Sequence, residues 1–191
     1  ENSVYDVFNH VAGKLCIFRD VTVERDLEKQ IRHSSNTDFL TGLYNRRCFY
    51  QYIHNNRGGR TVSLMYIDLD RFKEVNDTYG HKVGDAVLVH TADVLRRLFR
   101  DDFVARLGGD EFLVVRLGKC SMDQMEQEAE AFLKEMRTAF LAAEQTVSLS
   151  ASVGIAQSSD SMVDIDALLQ RSDQALYQAK KAGRSRYCVY R

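Results

Sequence analysis

The sequence lacks the marks of a metal scaffold, a membrane segment or a nucleic-acid partner. Its four cysteines, Cys16, Cys48, Cys120 and Cys188, show no CxxC spacing. They read as reduced thiols of a cytoplasmic protein, not as a zinc or disulfide framework. No apolar run approaches the ~20 residues a membrane helix needs, and no signal peptide is visible. A net charge of −1 gives no global attraction to nucleic acid or anionic lipid, so any anion site must be local. There is no internal repeat and no low-complexity stretch. What is present is 191 residues, 45% hydrophobic and 28% charged. That is enough for a packed core in one domain of ordinary size with an extra piece.

The extra piece lies at the start. Residues 1–22 hold two strand-like runs, "VYDVFNHV" and "KLCIFRDVTV", joined by "AGK", which predicts a hairpin turning at that tripeptide. Two strands alone cannot bury a face, so the segment reads as part of something larger. Residues 23–36, "ERDLEKQIRHSSN" and its flanks, are charged and read as a linker helix, a connector or a short coiled-coil seam, with Leu27 and Ile31 on one stripe.

Residues 37–191 carry the main domain. Asn45 is a good N-cap for a helix running to about Asn55. "RTVSLMYIDLD" reads as a buried strand ending in carboxylates. Val87, Leu88, Thr91, Val94, Leu95 and Leu98 recur at helical spacing. "DFVARLGGDEFLVVRL" reads as two strands around a Gly-Gly turn, and "MDQMEQEAEAFLKEMRTAF" as one helix with Phe140 inside. "TVSLSASVGIAQ" reads as one strand, residues 164–183 as a helix capped by Gly183, and "RYCVY" as a closing strand. From about residue 60 the order is β-α-β-β-α-β-α-β. It predicts an α+β fold, helices on an antiparallel-type central sheet, the ferredoxin-like arrangement.

Two features suggest chemistry. Asp68 and Asp70 end one strand, and period two puts both on one side if the strand continues through them. Asp110 and Glu111 sit at a hairpin tip beside Gly108 and Gly109. If those strands are neighbours, three or four carboxylates converge and raise one another's pKa values. Hard divalent cations relieve such repulsion, and bare glycine backbone lets a phosphate approach. Taken singly, each feature has a plain alternative: Gly-Gly is a common type I′ turn, and acidic strand ends are commonly solvated.

The combination resembles a family. "RLGGDEF" reproduces the signature of the GGDEF domains, the diguanylate cyclases, and "DFLTGLYNRR", "DLDRFKEVNDTYGHKVGD", "SASVGIA" and "SDQALYQAKKAGRSR" are similar to its other blocks in the same order. The likeness covers residues 36 to 190. "FRDVTVERDLEKQ" resembles the tail of a PAS sensor running into a signalling helix. The resemblance implies a nucleotidyl-cyclase palm that condenses two GTP into cyclic di-GMP and two pyrophosphates. It also implies two Mg²⁺ or Mn²⁺ ions per active site, a catalytic homodimer and no nucleic-acid partner. Membrane association would come only from an upstream region.

Residue by residue, it implies that Asp68, the Leu69 carbonyl, Asp110 and Glu111 hold the metals, with Asp110 often assigned as the base for the 3′-hydroxyl. Lys73 is implied to stabilise the transition state, and Lys180 and Arg184 to hold terminal phosphates, with Gly108 and Gly109 giving the nucleotide room. Asn76 and Asp85 are the implied guanine contacts. A carboxylate accepts from guanine N1–H and N2–H₂ together, whereas adenine offers it a lone pair at N1. One element departs from the family. Its inhibitory RxxD site would place Arg three residues before Asp102, and Phe99 stands there, with Arg97 and Arg100 out of register.

Overall fold

The computed structural model describes residues 2–5, 7, 8, 10–15, 36–158 and 164–191, and it divides into two compact units, Glu1–Ser35 and Asn36–Arg191. In the first unit, β1 (Asn2–Tyr5) pairs antiparallel with β2 (Val11–Leu15). The hairpin is there, but its turn is not at "AGK". Gly13 lies inside β2 opposite Val4, and the register shifts beside it, so this glycine sits at a strand irregularity and the chain turns earlier, at Val7–Phe8. The expected helix at residues 23–36 falls almost wholly outside the described residues.

The second unit is built on a six-stranded sheet in the order β10-β9-β4-β6-β5-β3. Its strands are β3 (Tyr44–Asn45), β4 (Val62–Leu69), β5 (Phe103–Gly108), β6 (Glu111–Leu117), β9 (Ala151–Gln157) and β10 (Tyr187–Val189). The pairings β9–β4, β4–β6 and β6–β5 are antiparallel, and the edge pairings β10–β9 and β3–β5 are parallel. The sheet is therefore mixed, as an α+β fold with crossover helices requires.

β4 is central and buried along most of its length, because helices cover both faces. Met65, Ile67 and Leu69 pack under α2 (Phe72–Tyr79), α3 (His81–Leu98) and α4 (Met122–Met136). Val62 and Leu64 pack on the other face under α1 (Arg46–Asn56) and α5 (Ile165–Lys181), with Phe49, Leu113 and Leu168. Asn45 caps α1 as expected, its side chain accepting from the Cys48 N–H at 2.9 Å. On α5, Leu168, Ala175, Leu176 and Ala179 recur at helical spacing and are buried.

Besides the two-residue strand β3, one helix and one hairpin were not expected. α2 precedes α3, separated by Gly80 at φ 82°; it buries only Val75, so no apolar stripe announces it. After α4, β7 (Phe140–Ala142) and β8 (Gln145–Val147) form a hairpin that takes Phe140 and Val147 out of the predicted helix and strand. Its two-residue turn, Ala143 and Glu144, has φ 45° and 70°, a conformation that normally demands Gly or Asn and is invisible in this sequence. No described helix is long and apolar enough to cross a membrane.

Candidate active site

β4 and β6 are in register such that Asp68 lies directly opposite Glu111, with Ser152 of β9 on its other side. Just beyond, the Leu69 N–H donates to the Asp110 carbonyl at 3.3 Å. Antiparallel pairing thus brings the end of β4 against the hairpin tip, and residues more than forty apart in sequence share one edge of the sheet. Asp68 falls two positions after Tyr66, and Glu111 two before Leu113, so both acids end the face covered by α1 and α5.

The tip itself is clamped. Arg106 donates from Nε and one terminal nitrogen to the Gly109 carbonyl at 2.9 and 2.7 Å, and from the other to Asp38 at 2.9 Å. Hydrogen bonds from Thr41 and the Arg106 guanidinium outweigh burial and hold the Asp38 carboxyl below its ordinary value. Gly108 pairs with Glu111, leaving Gly109 and Asp110 as the loop residues. Gly109 has φ 53° and Asp110 is not left-handed, so the tip is not the type I′ turn that Gly-Gly suggested. A methyl group on either glycine would meet no atom within 4 Å; the space beside the acids is open.

The acids are differently placed. Asp68 is largely buried, its side chain 14% exposed; burial, then the Asp110 and Asp70 carboxylates, push its pKa up, opposed by Lys180, whose Nζ lies 2.8 Å from Oδ1. Glu111 is half exposed, 3.9 Å from the Arg46 guanidinium. Beside it stands Tyr66, whose phenol is pushed up by burial and by the Glu111 carboxylate that accepts its hydrogen bond. Arg46 and Tyr66 were not read from the sequence, although Tyr66 lies at period two from Asp68.

The other expected carboxylate behaves otherwise. β4 ends at Leu69, but the Asp70 N–H continues the pairing to the Ser150 carbonyl and its carboxylate binds Ser152, the residue opposite Asp68, so the two acids share one side. Asp70 is buried, 4% exposed, and bound by Ser150, Ser152 and the Ser185 N–H. Among the described residues no three His, Cys, Asp or Glu side chains close on a common metal position. The Asp68–Glu111 pair with the Leu69 carbonyl is instead an open, all-oxygen donor set. Lys180 places a cation against it, and oxygen donors with room for water suit magnesium or manganese.

A second cluster forms where α2 meets α3. Asn76 lies so close to Gly84 that an added Cβ would stand 1.9 Å from Asn76 Oδ1. Gly84 is buried and helical, and Asp85 follows it, exposed. The two predicted guanine contacts are thus neighbours in space, and Gly84 makes their proximity possible.

The predicted phosphate residues are only partly gathered. Lys180 reaches Asp68. Lys73 is exposed on the first turn of α2. Arg184 lines a cleft of about 430 Å³ with Arg71, Asp70 and Ser185. At the expected inhibitory position, Phe99 is buried at the end of α3. Asp102 is taken by Arg116, which donates to its two oxygens at 2.7 and 2.5 Å and also contacts Glu128.

The family model described as "Diguanylate cyclase, GGDEF domain" matches residues 35–186. The chain belongs to the GGDEF domain family. Diguanylate cyclase DgcM of Escherichia coli (strain K12) is 37% identical over 178 residues, 90% of this chain and 42% of DgcM. Cyclic di-GMP phosphodiesterase PdeR of the same organism is 38% identical over 180 residues, 92% of this chain and 27% of PdeR. The GGDEF chain therefore spans less than half the length of these relatives. The crystal structure of the coiled coil and GGDEF domain of DgcB from Caulobacter crescentus, in complex with c-di-GMP, aligns with a TM-score of 0.81 at 28% identity. That alignment covers 88% of this chain and 93% of that one.

Proposed function

We propose that the second unit is an active diguanylate cyclase domain that condenses two GTP molecules into cyclic di-GMP and two pyrophosphates. The observation that carries the reading is the cross-strand placement of Asp68 against Glu111, with Leu69 bonded to Asp110 and open backbone at Gly108 and Gly109. Asp68, the Leu69 carbonyl, Asp110 and Glu111 are the groups to hold magnesium or manganese. When bound, such ions supply Lewis-acid stabilisation for the attacking 3′-oxygen and the leaving pyrophosphate.

The chain's own residues do the rest. Asn76 and Asp85 orient guanine, Asp85 accepting from N1–H and N2–H₂. Lys180 leaves Asp68 for the terminal phosphates, where Arg184 joins it. Lys73 approaches the reacting phosphate from the first turn of α2. Asp110 takes the 3′-hydroxyl proton. One chain offers one nucleotide half-site, so two chains meet face to face, each presenting a GTP to the other, as two-fold symmetry allows. The family's product-inhibition site is missing in this reading, since Phe99 replaces its arginine and Arg116 holds Asp102. Residues 1–22 are the remnant of a PAS-like sensor and 23–36 the linker that brings two domains together. The catalytic domain works in the cytoplasm.

A second reading is a silent GGDEF module that binds GTP and regulates a partner domain. The likeness to PdeR, a protein named for phosphodiesterase activity, favours it. Incubation with GTP and Mg²⁺, followed by nucleotide chromatography, separates the two. Cyclic di-GMP supports the cyclase. GTP bound but returned intact supports the silent module.

A further inference from the structure

Asp70 stands one residue past the end of β4, and its carboxylate is held by donors of the protein itself. It is 4% exposed and accepts three hydrogen bonds: from Ser150 Oγ at 2.6 Å, Ser152 Oγ at 2.7 Å and the Ser185 N–H at 3.0 Å. Its own N–H donates to the Ser150 carbonyl at 2.8 Å. The three donors are neutral and come from the loop before β9, from β9 itself and from the loop after α5. One buried acid therefore ties three segments together.

The last of these is the informative one. Arg184 and Ser185 are both left-handed, at φ 61° and 52°. Two successive side-chain-bearing residues there are unfavourable for L-amino acids and persist only where the surroundings enforce them. The enforcing contacts are few. The Arg184 N–H donates to the Ala179 carbonyl at 3.1 Å, the Ser185 N–H to Asp70, and Arg137 to the Ser185 hydroxyl at 2.8 Å and to the Ser185 carbonyl. Arg184 lines the same cleft as Arg71, Asp70 and Ser150.

We infer that Asp70 is a positioning residue: by holding the Ser185 N–H it fixes the Arg184–Ser185 turn and so aims the Arg184 guanidinium at the terminal phosphates of the nucleotide. The inference rests on the cyclase reading for Arg184 and assigns to Asp70 a role in phosphate recognition rather than in metal binding. It also explains why the acid is buried among neutral donors. Three hydrogen bonds shared over its two oxygens hold the carboxylate in one orientation, as a brace for a strained loop requires.

The test compares two nucleotides. Titration calorimetry at saturating Mg²⁺ measures binding of a non-hydrolysable GTP analogue and of GMP, which lacks the terminal phosphates, to the chain and its variants. Asp70→Asn, which keeps the shape of the side chain, should weaken the GTP analogue about tenfold or more and leave GMP within twofold. Arg184→Ala should show the same selectivity. Their double variant should lose no more than the worse single one, because both act through the same contact. If Asp70→Asn lowers the melting temperature too far for titration, Arg137→Ala removes the exposed anchor of the same turn. It should give a smaller loss, again confined to the GTP analogue. Equal losses for both nucleotides, additive losses in the double variant, or a raised Mg²⁺ requirement with unchanged selectivity would each overturn the inference. A wild-type chain that binds neither nucleotide would instead overturn the cyclase reading itself.

Discussion

An added methyl group at position 84 lands 1.9 Å from Asn76 Oδ1, 3.0 Å from its Cγ and 3.4 Å from Phe72 Cζ. None of these atoms is backbone, so Gly84→Ala is relieved by swinging the Asn76 amide away. The two energetic effects on the fold oppose each other. Alanine in a helix interior gains about 0.8–1.0 kcal/mol over glycine, and forcing Asn76 off its rotamer costs about 0.5–1.5 kcal/mol. The sum stays within about 1 kcal/mol, or a melting-temperature shift of roughly 2–4 °C for a domain of this size. Binding has no such compensation. A guanine edge left without its partner costs about 1–3 kcal/mol, which is on the order of a 5- to 150-fold rise in the GTP requirement. Thermal melts by circular dichroism and the concentration of GTP for half-maximal turnover measure the two quantities on one sample. Unchanged GTP dependence in a folded Gly84→Ala variant would refute the argument that Asn76 and Asp85 form the guanine site.

The remaining predictions address other parts of the molecule. Gly154→Ala differs in kind, since its Cβ would stand 1.9 Å from the Ser172 carbonyl oxygen and 2.4 Å from the Leu176 nitrogen, both backbone of α5. The helix that carries Lys180 must move, and melting should drop by roughly 2–12 °C with activity falling alongside. Asp110→Asn and Glu111→Gln should abolish condensation while changing the melting temperature little, Asp110→Asn removing repulsion with Asp68 and Glu111→Gln giving up only a 3.9 Å contact with Arg46. Without divalent metal, pH should act through Asp68, whose pKa is raised above 3.8 by burial and neighbouring acids. The native state then holds the Asp68 proton more tightly than the unfolded chain, so ionisation costs stability as pH rises through the window above 3.8. Urea titrations of wild type and Asp68→Asn across that window should show the variant gaining on wild type as pH rises; a constant difference would count against the assigned environment.

The long periodic helices were legible because burial of one face sets their pattern; Leu168, Ala175, Leu176 and Ala179 on α5 are the clearest case. β4 was legible from the apolar run Leu64–Ile67 at its centre, as a strand covered on both faces requires. The β7–β8 hairpin was not, because Ala143 and Glu144 adopt a left-handed turn that their residue types do not announce. The position of α2 was hidden for a related reason: one buried residue, Val75, gives no periodicity. At the site, Asp68 and Glu111 were readable from the motifs, but their meeting depends on a strand register no local pattern sets. Asp70 follows Asp68 at period two as the pattern suggests, but its burial among Ser150, Ser152 and the Ser185 N–H depends on segments far away in sequence. Gly84 and Tyr66 act through spatial neighbours, Asn76 and Glu111, and only the packing of α2 on α3 and of β4 on β6 brings them into view.

The most direct test of the central claim is the product formed from GTP and Mg²⁺, followed by chromatography over a wide dilution series of the chain. The cyclase account predicts cyclic di-GMP, two pyrophosphates for each, and a specific activity that rises with chain concentration until dimers saturate. Removal of residues 1–36 should move that rise to higher concentration. GTP recovered intact at every concentration, or a specific activity flat down to dilutions where light scattering shows monomers, would contradict it.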